Sequence, residues 1–256
     1  MARIVAVTNQ KGGVGKTTTA VNLSASLAAA EKKTLLIDMD PQANACSGLG
    51  VDKVNITTTV YSVLLGESQA KDVICRTELD CLDVIPSNTD LAGAEIELTQ
   101  ADEREKKLRQ ALVELREDYQ YIIIDCPPSL GLLTINSLAA ADTVLVPLQC
   151  EFYAMEGLGQ VMQTVRLVQQ ELNPGLVLEG ILLTMFDARN NLSHQVSQEI
   201  RQHFGSRVFK AVIPRNVRLS EAPSFGKPVL LYDITSRGAQ AYMELAQEIV
   251  AGESHE

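Results

Sequence analysis

A glycine-rich stretch near the N-terminus constrains the fold of this chain more than any other feature of its sequence. Residues 9–19 read NQKGGVGKTTT, and they lie between the apolar run 4–7 and an apolar-periodic segment that begins at Ala20. This order predicts a strand, a tight loop and a helix. The loop glycines let successive backbone N–H groups point into one concavity, next to the positive end of the helix dipole. The stretch is therefore predicted to cradle a polyphosphate.

Two side chains of this stretch suit nucleotide chemistry. Lys16 is predicted to reach the terminal phosphates, and the hydroxyl of Thr17 to coordinate a Mg²⁺ ion that bridges them. An ordinary glycine-rich turn is the alternative, but it does not explain Gly-Lys-Thr between a strand and a helix. The stretch departs from the usual phosphate-loop pattern at two positions. Gln10 stands where a glycine is expected, and a second lysine, Lys11, follows it.

The run of residues 11–18, KGGVGKTT, resembles the deviant Walker A motif of the ParA/MinD family of ATPases. The resemblance implies that the chain binds ATP and Mg²⁺, and that Lys11 reaches across a homodimer to the nucleotide of the second subunit. The loop residues implied to bind ATP are Lys11, Gly12, Gly13, Val14, Gly15, Lys16, Thr17 and Thr18.

Aspartates follow two of the predicted strands. Asp38 and Asp40 come after the apolar run 34–37, where Asp40 could orient a water for attack on the γ-phosphate. A solvated acidic turn is the alternative. Asp125 follows the apolar run 121–124 and precedes Cys-Pro-Pro, a Walker B pattern in which the carboxylate binds Mg²⁺ directly or through water. Lys11, Lys16 and Asp40 are thus the candidate catalytic residues, and Thr17 and Asp125 the candidate metal ligands.

Strand and helix patterns alternate along the chain, which predicts a mostly parallel, twisted sheet with helices on both faces, an α/β fold of the P-loop NTPase type. Helices are predicted over residues 18–30, 58–65, 90–98, 154–172, 191–204 and 238–250, and strands over 4–7, 34–37, 82–85, 121–124, 143–147 and 178–186. A capping-box pattern at 99–102 predicts one further outer-layer helix, whose apolar stripe is Leu108, Ala111, Leu112 and Leu115.

Size and composition limit the remaining choices. A chain of 256 residues with 46% hydrophobic content can bury one large core, so we expect a single domain over residues 1–256. No run approaches the roughly 18 apolar residues of a membrane span, and the N-terminus enters a strand at once, which predicts a cytoplasmic protein. The five cysteines form no Cys-x-x-Cys pair and are interpreted as reduced packing residues.

Charge is unevenly distributed along the chain. The net charge of −10 argues against nucleic acid, but residues 185–227, called here the basic segment, hold seven basic and three acidic side chains. The segment thus carries +4, which leaves −14 on the rest of the chain. Its basic residues lack the aromatic interleaving of single-strand binders, and this pattern predicts duplex DNA as the nucleic acid.

Residues 213–228 read IPRNVRLSEAPSFGKP and resemble the ParA/Soj chromosome-partitioning branch of the same family. The resemblance now runs from residue 1 to about residue 250. It implies that Pro214 and Asn216 lie near the adenine, and that Arg189, Arg215 and Arg218 are candidates for contacts with the DNA backbone. The alternative is that these arginines solvate a surface helix.

The leading functional prediction is a partition ATPase. Two ATP-bound subunits close face to face and hold duplex DNA without base reading, and a ParB-like partner stimulates a weak intrinsic hydrolysis; such a protein is associated with the nucleoid. A MinD-like membrane switch would need a basic amphipathic C-terminal helix, but no Lys or Arg follows Arg237, whereas Glu244, Glu248, Glu253 and Glu256 do. An iron–sulfur carrier would need paired loop cysteines. An ATP-driven positioning protein whose cargo is not DNA is excluded less well.

Overall fold

A sheet of eight strands forms the centre of the fold in the computed structural model, which describes residues 1–52 and 56–252. Two of the C-terminal acidic residues named above, Glu253 and Glu256, lie outside the described residues. The strands are β1 (Arg3–Val7), β2 (Thr34–Asp38), β3 (Cys75–Arg76), β4 (Leu82–Ile85), β5 (Tyr121–Asp125), β6 (Thr143–Gln149), β7 (Val177–Phe186) and β8 (Val208–Pro214). The α-helices are α1 (Lys16–Ala29), α2 (Asn44–Gly48), α3 (Val60–Leu64), α4 (Leu91–Glu97), α5 (Lys107–Ala111), α6 (Leu132–Ala140), α7 (Ala154–Glu171), α8 (Asn191–Phe204), α9 (Val217–Glu221), α10 (Val229–Tyr232) and α11 (Arg237–Gly252).

The strand order is β3-β4-β2-β5-β1-β6-β7-β8, so the central strands β2, β5 and β1 are neighbours. Asp38 ends β2, Asp125 ends β5, and the glycine-rich loop follows β1. Every neighbouring pair is parallel except β3 with β4. In the register of the central strands, Asp125 of β5 is opposite Val7 of β1 on one side and Asp38 of β2 on the other. The carboxyl ends of these strands therefore stop at the same level, which is where ligands bind in such sheets. The predicted α/β fold is confirmed.

Helices cover both faces of the sheet because the central strands are apolar on both faces. On β5, Ile122 and Ile124 join the cluster beneath α3 to α8, whereas Ile123 joins the cluster beneath α1 and α11. The helix predicted over residues 238–250 is confirmed as α11, and one face of it belongs to the core, since Tyr242 and Ile249 are at most 2% exposed. Across residues 1–52 and 56–252, none of the helices has both the length and the apolar character needed to cross a bilayer.

One predicted helix is wrong. Instead of a continuous helix after residue 99, the chain forms 3₁₀ turns at Leu98–Gln100, Arg104–Lys106 and Glu114–Glu117, with only the short α5 between them. Thr99 does not cap a helix; its hydroxyl donates to the carbonyl of Glu95 at 3.1 Å. The apolar stripe was nevertheless predicted correctly, because its three leucines are all at most 2% exposed. Burial thus holds this segment against the core without a regular helix.

Two glycines bring the loop after α2 into backbone contact with the turn after α9. Gly50 and Gly226 have φ of +70° and +64°, and a Cβ built on Gly226 would lie 2.8 Å from the Cα of Gly50. We expect Gly226→Ala to lower the free energy of unfolding by about 2–4 kcal/mol, from the left-handed backbone and the backbone clash together. Urea or thermal unfolding measures this loss.

The control for this substitution is Gly66→Ala. Gly66 also has a positive φ, of +76°, but a Cβ there meets no atom within 4 Å. Gly66→Ala should therefore lower the free energy of unfolding only by the cost of the left-handed backbone, about 1–2 kcal/mol. Equal losses in the two variants would show that the Gly50 contact does not constrain residue 226.

Candidate nucleotide-binding site

The loop between β1 and α1 has the conformation that its glycines predicted. Gly13 and Gly15 have φ of +76° and +91°, a region in which L side chains are strained, and Gly15 directly precedes α1. A Cβ built on Gly12 or Gly13 would meet no atom within 4 Å, so the concavity is open. The loop is anchored from β7, where the hydroxyl of Thr184 donates to the carbonyl of Val14 at 2.8 Å.

Lys16 is held inside this concavity. It is the first residue of α1 and only 7% exposed, and its Nζ donates to the carbonyl of Lys11 at 3.1 Å. Burial lowers the pKa of its ammonium, whereas the nearby acidic groups of Asp125, Cys126 and Asp40 raise it. A partly desolvated cation at the mouth of a ring of backbone N–H groups is suited to a polyphosphate.

Lys11 points away from the concavity. Its Nζ forms an ion pair with the carboxylate of Glu151, which follows β6, and the two side chains are 45% and 34% exposed. To reach a nucleotide in a second subunit, Lys11 has to leave Glu151. The sequence contained no signal for Glu151, because the two residues are 140 positions apart.

Asp38 fixes the backbone of Asp40 through a hydrogen bond. One oxygen of Asp38 accepts the N–H of Asp40 at 3.1 Å, and the other accepts the N–H and the thiol of Cys46 at 3.1 and 3.3 Å. Burial raises the pKa of Asp38 to about 6. The carboxylate of Asp40 accepts the N–H of Gln42 at 2.9 Å, and the residue is 8% exposed. Asp38 is thus a buried residue that holds neighbouring backbone in place, whereas Asp40 lines the cleft described below.

Asp125 has the character of a cation ligand. It is fully buried, and neither carboxylate oxygen accepts a hydrogen bond of ordinary geometry. Burial and the charges of Asp38 and Asp40 raise its pKa well above the ordinary value, while the Thr17 hydroxyl and Lys16 lower it. A fully buried carboxylate that accepts no hydrogen bond of ordinary geometry is costly unless a cation compensates its charge. Carboxylate and hydroxyl oxygens suit Mg²⁺, which also keeps waters and takes phosphate oxygens.

Two adjoining clefts run along the loop, each of about 370 Å³. The first, the phosphate cleft, is lined by Gly12, Gly13, Gly15, Lys16, Thr17, Thr18, Asp40, Gln42, Asn44, Pro128 and Met185. The second, the nucleoside cleft, is lined by Gly15, Thr18, Thr184, Met185, Ile213, Pro214, Arg215, Asn216, Leu219, Ser220, Pro223 and Tyr242. Their continuity gives room for a nucleoside joined to a polyphosphate, with the predicted residues Pro214 and Asn216 at the nucleoside end.

Several residues that line the two clefts were not predicted from the sequence. Met185 lies at the junction of the two clefts with φ of +49°, a conformation unusual for a residue with a side chain and typical of functional sites. No sequence pattern marks that backbone. Gln42 and Asn44 follow Asp40 so closely in the sequence that the site could have been extended to them, whereas Tyr242, whose OH is 3.1 Å from the hydroxyl of Thr19, lies far along the chain on α11.

The three arginines singled out in the sequence lie outside the phosphate cleft. Arg215 is exposed at the wall of the nucleoside cleft, and its N–H donates to the carbonyl of Phe186 at 3.0 Å. Arg189 and Arg218 are on the surface, in the turn after β7 and on α9. Leu219 and Ser220 of α9 line the nucleoside cleft, so this single turn of helix has nucleotide-facing residues next to Arg218.

A parallel sheet with a phosphate loop at the carboxyl end of its central strand, flanked by Asp40 and Asp125, defines a P-loop nucleoside triphosphatase. A family model described as an AAA domain matches residues 2–178. The chain is 59% identical over 250 residues to the chromosome partitioning protein ParA of Myxococcus xanthus, covering 98% of this chain and 88% of that protein. It is 57% identical over 251 residues to the sporulation initiation inhibitor protein Soj of Bacillus subtilis, covering 98% and 99%. The chain belongs to the ParA/Soj family of ATPases.

A solved structure agrees with this fold. The cobyrinic acid a,c-diamide synthase of Mycobacterium smegmatis, solved with a bound ATP analogue and magnesium, superposes with a TM-score of 0.87 at 39% identity. The match covers 99% of this chain and 96% of that one.

Proposed function

We propose that residues 1–256 form a single-domain chromosome-partitioning ATPase, whose ATP-bound homodimer holds duplex DNA and releases it when a ParB-like partner stimulates hydrolysis. The observation that carries the proposal is a cleft of about 370 Å³ lined by Lys16, Thr17 and Asp40, with the carboxylate of Asp125 buried beside Lys16 and Thr17. The names of the relatives at 56–59% identity support the biological role.

In the proposed reaction, the loop N–H groups and Lys16 bind the β- and γ-phosphates of ATP. Thr17 and Asp125 would hold Mg²⁺, which when bound neutralises phosphate charge. Asp40 accepts a hydrogen bond from a water and directs its oxygen at the γ-phosphorus. As the new P–O bond forms, the bond from the γ-phosphorus to the oxygen that bridges it to the β-phosphate breaks, ADP leaves, and the proton of the water passes to Asp40. Asp38 keeps the Asp40 backbone in place through its 3.1 Å hydrogen bond.

Dimer formation in this proposal depends on Lys11. Its side chain is 45% exposed and joined to a partly exposed Glu151, and such pairs are weak enough to open. Phosphate oxygens of the second subunit's nucleotide would replace that carboxylate. Because each subunit donates one lysine to the other, nucleotide binding and closure are coupled, and weak intrinsic hydrolysis keeps the closed state until the partner acts.

DNA binding is assigned to the basic segment through Arg189, Arg215 and Arg218. Guanidinium groups match phosphate oxygens, and phosphate contacts carry no sequence information. Closure would double this surface and align the two copies along a duplex. The protein is then expected to reside on the nucleoid of the cytoplasm whenever ATP is bound.

A membrane-bound positioning switch is the second candidate, and the packing of α11 disfavours it. The apolar face of α11 is buried against β8 and α1, as the exposures of at most 2% at Leu245, Ala246 and Ile249 indicate. That face is therefore occupied and not available for a lipid surface. A positioning ATPase with a cargo other than DNA remains the alternative to be tested.

The deciding experiment is DNA binding with and without nucleotide. We expect two unrelated fluorescent duplexes to be bound tightly with ATP and Mg²⁺ and weakly with ADP or no nucleotide, and a partner pull-down with ATP should identify the activator. Equal binding in all nucleotide states, or none in any, would contradict the DNA assignment.

Reversing the charge of two arginines tests whether the basic segment contacts DNA. Arg189→Glu and Arg218→Glu should each weaken DNA binding about equally for both duplexes, with the log–log salt dependence flatter by roughly 0.9 per lost contact per subunit. ATP hydrolysis without DNA should stay nearly unchanged, because neither residue lines the phosphate cleft. Titration at two salt concentrations measures both effects.

Arg109→Glu is the matched control for these reversals. It makes the same charge change at an exposed position on α5, outside the basic segment. It should alter DNA affinity little. If ATP affinity or partner stimulation falls in the two test variants while DNA binding persists, the arginines serve the nucleotide or the partner instead.

A further inference from the structure

Arg189 is already bound by a carboxylate of its own turn. The two oxygens of Asp187 accept hydrogen bonds from its Nε and Nη2, both at 3.1 Å, and one of them also accepts its backbone N–H at 3.0 Å. This two-pronged contact occupies the edge of the guanidinium that would otherwise receive a phosphate. The Arg189 side chain is 89% exposed, so the pair lies in solvent and a competing anion can reach it.

Arg218 is held by two carboxylates from different elements. Its Nη1 donates to Glu221 at 2.8 Å, and its Nε is 3.3 Å from a carboxylate oxygen of Asp233. Both acids have further bonds: Tyr232 OH donates to the same Glu221 oxygen at 3.2 Å, and Thr235 donates its N–H and hydroxyl to Asp233. Each carboxylate thus has hydrogen-bond partners besides Arg218.

The local charge at Arg218 is opposite in sign to the charge of the basic segment. One arginine between two carboxylates sums to −1, and the pair of Arg189 with Asp187 sums to zero, with the charge of Arg215 close enough to act on Asp187 as well. Asp233 lies beyond residue 227, so a count along the segment omits it. A phosphate that approaches Arg218 therefore meets net negative charge until it displaces a carboxylate.

We propose that Asp187, Glu221 and Asp233 are intramolecular competitors of the DNA phosphates and hold the DNA affinity of each subunit low. This inference rests on the proposed DNA-binding function and adds its regulation. Each phosphate contact replaces an existing ion pair, so the net gain per subunit is small. Firm binding then needs the two sets of arginines that a closed dimer presents, and opening of the dimer after hydrolysis is enough for release.

The test is Glu221→Gln, which keeps the side-chain length and an acceptor for Tyr232 but removes the charge. The DNA affinity of the ATP-bound protein should rise roughly two- to fivefold per subunit, the range of an exposed ion pair. Its salt dependence should steepen, and hydrolysis without DNA should not change. Fluorescence anisotropy with the two unrelated duplexes measures the affinity.

Glu199→Gln is the control. Glu199 is exposed on α8 in the same segment, and it is not one of the carboxylates that hold either arginine. An equal rise in this variant would overturn the proposal, since the effect would then be one of net charge alone. In an Arg218→Ala background the gain from Glu221→Gln should disappear, because a competitor acts only through the group for which it competes.

The inference and the proposed function fail in different ways. If Arg218→Glu weakens DNA binding but Glu221→Gln does not strengthen it, competition is overturned and the DNA surface stands. If the unmodified protein with ATP does not bind either duplex, the DNA function itself is overturned, and the inference falls with it.

Discussion

Replacing Lys16 by alanine is expected to weaken ATP binding by roughly 10- to 150-fold, the equivalent of about 1.5–3 kcal/mol for a charge-assisted hydrogen bond. The reason is geometric, because Lys16 is the cation buried in the loop concavity, with Asp125 and Asp40 beside it. Removing it leaves the phosphates with the backbone N–H groups of the loop and the Mg²⁺ ion of the proposed site. Calorimetric titration of ATP and Mg²⁺ into the variant measures the loss.

The matched control for this prediction is Lys11→Ala. Lys11 faces Glu151 instead of the phosphate cleft, so its removal should leave ATP binding to one subunit nearly intact and abolish closure of the dimer. Sedimentation with ATP separates the two effects. If Lys16→Ala keeps normal affinity and dimerises, or if the two variants behave alike, the division of labour between the lysines is wrong.

Replacing Asp40 by alanine is expected to slow ATP hydrolysis by about 10²–10⁴-fold, the usual contribution of a general base. Binding of ATP should remain, because Asp40 is at the rim of the cleft and the loop, Lys16 and Asp125 are intact. The closed dimer should therefore accumulate and stay on DNA. Phosphate release and the lifetime of the DNA complex are the two measurements.

Asp40→Asn separates chemistry from architecture. The amide oxygen can still accept the N–H of Gln42, a bond of 2.9 Å in the native protein, but the amide is a poor acceptor for the proton of the attacking water. We expect it to hydrolyse ATP as slowly as Asp40→Ala does. Normal turnover in Asp40→Asn, or a monomeric Asp40→Ala protein with ATP, would assign the carboxylate a structural role.

The predictability of the fold differs between segments for physical reasons. Central strands such as β5 are continuous apolar runs, since both their faces are buried, and such runs are visible without any tertiary information. β8 was missed because its residues 208–214 were interpreted through the charge of the basic segment, although their burial alternates in part. The helix after residue 99 was predicted from a local cap, and tertiary packing of three leucines prevailed over it.

The residues of the candidate site also differ in how far the sequence alone predicts them. The positions of the phosphate loop, Asp40 and Asp125 could be predicted from the sequence alone, because a left-handed glycine, a helix N-terminus and an acid at the end of a strand are local features. Their proximity also follows from parallel topology, which aligns the strand ends. The roles of these residues in binding and hydrolysis stay predictions.

Only the tertiary structure decided which groups neutralise one another. The pairing of Lys11 with Glu151 joins residues 140 positions apart, and the carboxylates around Arg218 come from α9 and from the turn before α11. The left-handed Met185 at the junction of the clefts is likewise set by the packing of neighbouring segments. Charge counted along a sequence is a sum, but charge at a surface depends on which side chains the fold brings within 4 Å, and that distance is determined by long-range packing.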